Sequence, residues 1–145
     1  MATTVISEQD LKMDIIDFLK AKDTGALATS GRDTRVSPVR YFLGEGMDIY
    51  IHSDGGSKFD NLEVNNQVCF LASTEFYGDY QTIKGVQIFG NAEIGDLNST
   101  LYKEGEKHCP FEHGEEVDKI IKITPKEIVY KDGVDGDGEK HRWRY

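Results

Sequence analysis

Apolar residues recur along this chain with two different periods, and the switches between them mark its elements. Leu11, Ile15, Phe18 and Leu19 fall at helical spacing. The pattern runs from a cap-like Ser7, with Asp10 three positions on, to Lys22, and Thr24-Gly25 stops it. Strand-like pieces then follow at 26–29, 36–43, 47–53, 68–73, 81–94 and 127–131. Turn clusters separate them, notably Ser30-Gly31-Arg32-Asp33 and Gly44-Glu45-Gly46. A second, shorter helical pattern opens at Ser57 and carries Phe59, Leu62 and Val64. Strands outnumber helices, so the chain reads as mainly β with short α segments, a closed antiparallel barrel. Its 145 residues suit a single domain, 1–145, with an N-terminal helical part, 1–24, and a C-terminal tail, 132–145. The tail is glycine-rich and loose over 132–138, and Trp143 and Tyr145 are placed to anchor its end.

Charge narrows the partners. Acidic residues outnumber basic ones 26 to 17, for a net charge of −9. Such a surface repels nucleic acid and anionic membranes, and neither is expected as a partner. No apolar run approaches the ~18 residues of a membrane span, and no signal-peptide pattern opens the chain. Cys69 lies in the apolar run Val68-Cys69-Phe70-Leu71-Ala72 and Cys109 in a polar stretch, which is no disulfide framework. A reducing, cytoplasmic location is the expectation.

Against that acidic background, two segments concentrate cations and donors. The alternating run Ile49-Tyr50-Ile51-His52 breaks at Asp54-Gly55-Gly56, and a helix then begins at Ser57-Lys58. His52 and Ser53 thus arrive beside a helix N-terminus that carries a hydroxyl and an ammonium group, equipment suited to a small phosphorylated ligand. The plain alternative is a helix cap at Ser57 with a solvated lysine. The other segment is Arg35-Val36-Ser37-Pro38-Val39-Arg40. Pro38 marks an edge, a bulge or a ligand-facing strand. The odd spacing puts Arg35 and Arg40 on opposite faces of a regular strand, whereas a bulge at Pro38 would restore a common side. Two surface arginines flanking a barrel edge are the alternative here.

In order, Arg35-x-x-Pro38-x-Arg40, the strand 48–53, Ser57-Lys58-x-x-Asn61-Leu62-x-x-Asn65-Asn66-x-Val68 and Val86-Gln-Ile-Phe-Gly90-x-Ala92-Glu93 resemble the pyridoxamine 5′-phosphate oxidase-like family of FMN-binding split barrels. The likeness covers about residues 25–94, and Thr124-Pro125-x-x-Ile128-x-Tyr130 resembles the family's final barrel strand. It implies a six-stranded antiparallel split β-barrel, a homodimer with FMN at the subunit interface, and redox chemistry on a small molecule. Carried over by position, Arg35, Val36, Ser37 and Arg40 match the strand along the isoalloxazine and ribityl chain. Ile51 and His52 match the next contact pair, with Ser53 at the strand end. Ser57 and Lys58 match the pair that holds the FMN phosphate. Gln87 lies on the strand by which the partner subunit reaches the flavin.

Two departures stand out. Ser57 occupies a place that is arginine in the biosynthetic oxidase, which leaves Lys58 and Arg40 as the main charges. The C-terminal group that binds the pyridoxal substrate there is reduced here to His141-Arg142-Trp143-Arg144-Tyr145, in a different order. Oxidation of pyridoxamine phosphate is therefore not expected, and no catalytic acid or base is assigned. The alternative on the same barrel is a protein that holds haem or stores flavin without turnover. His108, His113 and His141 are the candidate haem ligands.

Other motifs fail. Asp135-x-Asp137-Gly138 resembles part of a calcium loop, but Gly133 and Arg144 occupy its first and twelfth positions. Gly85-x-x-x-x-Gly90 lacks the Lys-Ser/Thr of a nucleotide loop. His108-Cys109-x-x-x-His113 offers no fourth ligand, so no metal site is expected.

Overall fold

The computed structural model of the protein describes residues 6–53, 55–111 and 117–145. Helix α1 (Glu8–Ala21) starts where the Ser7 hydroxyl accepts the Asp10 N–H at 3.1 Å. It buries Leu11, Ile15, Phe18 and Leu19, the residues that its spacing selects. Strands β1 (Thr24–Ser30), β2 (Thr34–Leu43) and β3 (Ile49–Ser53) come next, then α2 (Ser57–Val64), β4 (Gln67–Ser73) and β5 (Lys84–Asp96). A short α3 (Thr100–Glu106) precedes β6 (Lys119–Asp132) and β7 (Lys140–Arg144). Among the described residues no helix is long and apolar enough to cross a membrane.

All neighbouring strands are antiparallel and follow the order β3-β2-β1-β4-β5-β6-β7, and a further β3–β6 pairing closes the first six into a barrel. The long β6 makes this closure possible. One edge runs along the whole of β5, while the other is shared: its first part, Lys119 to Ile123, pairs with β3, and Glu127 to Lys131 pair with β7. Between these halves the β5–β6 register shifts at Phe89/Gly90, with Lys126 as the extra residue. The bulge draws the strands so close that a Cβ on Gly90 would stand 2.3 Å from the Thr124 carbonyl oxygen.

Alternation along the strands fills the interior. Leu27, Ile49, Ile51, Phe70, Ile88 and Ile123 all lie in the main core and are at most 1% exposed. Tyr41 joins them and donates its hydroxyl to the Leu19 carbonyl at 2.7 Å, fastening α1 to β2. Where α3 covers the outer surface, the opposite faces of the same strands are buried too. Phe42, Tyr50, Tyr102 and Ile120 form a second, separate cluster there.

Several expectations need correction. The tail holds a strand that was not expected, β7, which carries Trp143 into the main core, whereas Tyr145, the other expected anchor, is exposed. Strand β6 begins eight residues before its expected start at 127, at Lys119. Pro38 causes no bulge, since the β1–β2 ladder runs without a shift from Thr24↔Arg40 to Ser30↔Thr34. The proline is tolerated because β3 pairs only with residues 41–43 of β2, which leaves the Pro38 stretch with one open edge.

The bulge gives a direct test. Gly90→Ala should destabilise the fold by about 1–3 kcal/mol, because the colliding atom is backbone and cannot rotate away. Urea unfolding of both proteins measures this, and an unchanged midpoint would show that the β5–β6 crossing is looser than described.

Candidate functional site

Strand β3 ends by sorting its side chains. Ile49 and Ile51 point into the barrel and are fully buried, while Tyr50 and His52 point outward. The chain then turns through Gly55 (φ 134°) and Gly56 (φ 108°), a backbone that side-chain-bearing residues rarely adopt. Gly56 is the N-cap of α2 and provides no side-chain cap, so Ser57 is the first helical residue and not the cap. Lys58, half-buried, donates from Nζ to the Ser53 hydroxyl at 3.1 Å. Ser53 and Lys58 are thus joined at the end of β3, and Ser57 precedes Lys58 in the first turn of α2. The first turn also carries the exposed carboxylate of Asp60. Asp54 lies outside the described residues.

What holds this corner in place is Asn61, whose role no local pattern in the sequence reveals. Asn61 is fully buried and uses both ends of its amide. Its Oδ1 accepts the backbone N–H groups of Arg32 and Asp33 at 3.0 and 3.2 Å, and its Nδ2 donates to the Thr29 hydroxyl at 3.1 Å. One turn on, Asn65 donates from Nδ2 to the Ser30 hydroxyl at 3.1 Å. Helix α2 is thus fixed to the β1–β2 hairpin, and Lys58 is fixed relative to the start of β2. The asparagine spacing of four signals a shared helix face but not its partner.

The predicted residues of β2 divide between two faces. With no bulge, Arg35 and Ser37 share a face with Val39 and Tyr41, and Val36 shares the outer one with Arg40 and Phe42. Arg35 pairs with Asp33 at 2.8 Å, and that hydrogen bond holds the Asp33 carboxyl below its usual range. Val36 is 70% exposed along the open edge. Arg40 reaches Asp23 at 3.8 Å and lies over the Phe111 ring, also 3.8 Å from its centroid. Gln87 stands on the exposed face of β5, and two strands, β1 and β4, separate β5 from β2 within one chain. Its neighbours there include the exposed Leu71 and Phe76.

A second polar group forms under α3. The His52 imidazole Nε2 bonds the Glu106 carboxylate, and the Cys109 sulfur comes within 4.8 Å of their ligand atoms. Phe42 and Tyr102 flank the imidazole, with ring centroids 5.4 and 5.8 Å away. Burial pushes the Cys109 thiol above its ordinary value, and Glu106 adds to that, whereas a backbone hydrogen bond at Phe111 and the charge of Arg40 act in the opposite direction. Of the candidate haem ligands, His108 stacks on Tyr50 and is exposed, His141 pairs with Asp137 at 3.0 Å, and His113 lies outside the described residues. Neither α3 nor Glu106 was singled out from sequence. Ser99, whose hydroxyl accepts the Tyr102 N–H at 3.1 Å, was the signal for that helix.

The family model described as pyridoxamine 5′-phosphate oxidase matches residues 11–132. No curated protein matches the chain. Among solved structures, general stress protein 26 from Bacillus anthracis aligns at 23% identity and a TM-score of 0.65, over 93% of this chain and 98% of that one. The haem storage protein HutZ from Vibrio cholerae aligns at 18% identity and a TM-score of 0.69, over 87% and 99%. A haem-binding protein from Mycobacterium smegmatis aligns at 15% identity and a TM-score of 0.68, over 98% of this chain and 60% of that one. At these identities the likeness is one of fold.

If Asn61 is the fastening described, Asn61→Ala should cost roughly 2–4 kcal/mol, since it strands buried donors and a buried hydroxyl together. Hydrogen exchange should locate the damage, with the Arg32 and Asp33 amides losing protection first. Unchanged protection at those two amides would mean that other contacts hold the hairpin.

Proposed function

The chain belongs to the pyridoxamine 5′-phosphate oxidase family, and from that premise we propose that it is an FMN-binding flavoprotein that acts as an oxidoreductase on a small molecule. The observation that carries this reading is the donor-rich corner between β3 and α2. A phosphate group needs cations and N–H or O–H donors held at fixed positions. Lys58 supplies the cation and is positioned by Ser53 at 3.1 Å, Ser57 adds a hydroxyl in the first turn, and Asn61 immobilises the helix. The Gly55 and Gly56 Cβ positions have nothing within 4 Å, so the approach to the corner is open.

In this reading, residues of β2 near its open edge, Arg35, Val36 and Ser37, flank the rest of the cofactor. Ile51, whose side chain is fully buried, contributes backbone only. Arg40 is an outer-face neighbour of His52. Bound FMN would supply hydride or electron transfer at its ring, and the protein's contribution is to bind it, orient it and control access. A homodimer fits the outer surface: Leu71, Phe76 and Phe89 are 44, 60 and 38% exposed on or beside the face that carries Gln87. Covering such a patch with a second copy removes apolar surface from water and brings a partner's Gln87 face into play. Val86 and Ile88, by contrast, are fully buried and serve the barrel core.

The C-terminal segment argues against the biosynthetic reaction. Trp143 is only 6% exposed and packs in the core, and His141 is engaged with Asp137. Neither is placed to grip a pyridoxal substrate.

Two outcomes follow. Lys58→Ala should weaken FMN binding by roughly 10- to 150-fold, the equivalent of about 1.5–3 kcal/mol for one charge-assisted bond in a half-buried place. Riboflavin, which lacks the phosphate, should bind both proteins alike, and equal losses for the two flavins would show that Lys58 supports the fold instead. Separately, the FMN-loaded protein should form no pyridoxal phosphate from pyridoxamine phosphate. Saturable turnover would mean that the C-terminal strand has been misread.

A further inference from the structure

Cys109 has company that its sequence neighbours do not reveal. His108 turns away onto Tyr50, with the rings 5.9 Å apart and nearly parallel. Cys109 meets His52 from β3 and Glu106 from the end of α3 instead. An imidazole nitrogen, a carboxylate oxygen and a thiol sulfur lie within 4.8 Å of one another, all on half-buried residues.

We propose that His52, Glu106 and Cys109 form a binding site for a divalent transition metal of the zinc class. The donor set selects that class. Calcium and magnesium take oxygen ligands, whereas a nitrogen, a sulfur and one carboxylate oxygen suit a borderline-soft ion. The spacing is close to what coordination requires. Bonds of about 2.0–2.3 Å in a tetrahedron put donors roughly 3.3–3.8 Å apart. The Cys109 sulfur, within 4.8 Å of the other two atoms, would close in by at most about 1–1.5 Å, while the hydrogen-bonded His52 and Glu106 atoms would move apart to admit the ion.

The three donors also stand on fixed supports. His52 belongs to a strand paired with β6, where it lies opposite Ile120. Glu106 ends a helix capped by Ser99 and held through the Tyr102 hydroxyl, which donates to the Val117 carbonyl at 2.6 Å. Cys109 sits in the turn that continues this helix, its N–H donating to the Glu106 carbonyl at 3.2 Å. Phe42, Tyr102 and Phe111 wall the group with rings, which lowers the local dielectric and strengthens ionic bonds within it. Among the described residues Arg40, whose guanidinium lies on the Phe111 ring, opposes a cation. A thiolate and a carboxylate together carry two negative charges and outweigh it.

In the metal-free protein each of these donors has a hydrogen-bond partner. Glu106 bonds His52, and the Cys109 thiol donates to the Phe111 carbonyl at 3.3 Å. Metal binding would replace both bonds and release the thiol proton. His52, which the resemblance matches to a flavin contact, is turned toward Glu106 here, and the neighbouring phosphate corner rests on Lys58 and α2.

The test uses cobalt as a coloured substitute for zinc. The untagged full chain, stripped with a chelator, is titrated with Co²⁺ and read as difference spectra against the same protein without cobalt. Saturable binding is expected at one equivalent, with tetrahedral visible bands and a thiolate-to-cobalt charge-transfer band, all displaced by Zn²⁺. Cys109→Ser should abolish the charge-transfer band. His52→Ala and Glu106→Gln should each weaken binding by more than about tenfold, the smaller figure seen when only a ligand's outer partner is lost. Cys69→Ser, on a different strand, should change nothing. The proposal is overturned if cobalt does not bind saturably, or if the charge-transfer band survives in Cys109→Ser. Binding unaffected by both His52→Ala and Glu106→Gln would overturn it equally.

Discussion

One buried amide governs the geometry of the candidate cofactor site. Asn61 has no access to water, and each polar atom it carries is satisfied by the β1–β2 hairpin. In a low-dielectric interior such bonds are strong when made and costly when broken, so the helix and the hairpin behave as one body. That body contains Lys58 at one end and the start of β2, with Arg35, at the other. A lysine side chain alone would sample many positions. Here its carrier helix is fixed by Asn61 and Asn65, and its ammonium group by the Ser53 hydroxyl.

The barrel supplies the frame for this arrangement. Because β6 is long enough to serve β3 and β7 along a single edge, the sheet closes on itself and also accepts the C-terminal strand. Closure leaves the inner face to aliphatic and aromatic side chains and frees the outer face for chemistry. The outward positions of β2 and β3, Arg40, Phe42, Tyr50 and His52, then meet α3 and the turn that follows it. Donor corner and metal-ligand group thus arise from one strand: Ser53 faces α2, and His52 faces α3.

Legibility in the sequence followed the range of the interactions. Helix α1 was readable because its cap and its apolar stripe are local, and β3 with the α2 start because alternation and a glycine pair are local too. The first half of β6 was hidden by its lysines and by Pro125, whose place in the sheet makes sense only beside the bulge opposite Gly90. Strand β7 was hidden by the glycine-rich stretch before it, and its stability comes from pairing with β6 and from burial of Trp143. The family resemblance pointed to Lys58 and the open edge of β2, but the faces of Arg35 and Arg40 awaited the ladder register. Least readable was the partnership of His52 with Glu106, 54 residues apart, and with Cys109 beyond it. No local period encodes such a meeting.

The central claim, that the fixed corner between β3 and α2 receives the phosphate of FMN, is tested most directly by the visible spectrum of the purified protein, as isolated and after incubation with FMN. The account predicts the paired near-ultraviolet and blue bands of a protein-bound flavin, with FMN identified by mass spectrometry after release. A Soret band with haem released instead, or failure of added FMN to remain with the protein through gel filtration, would contradict it.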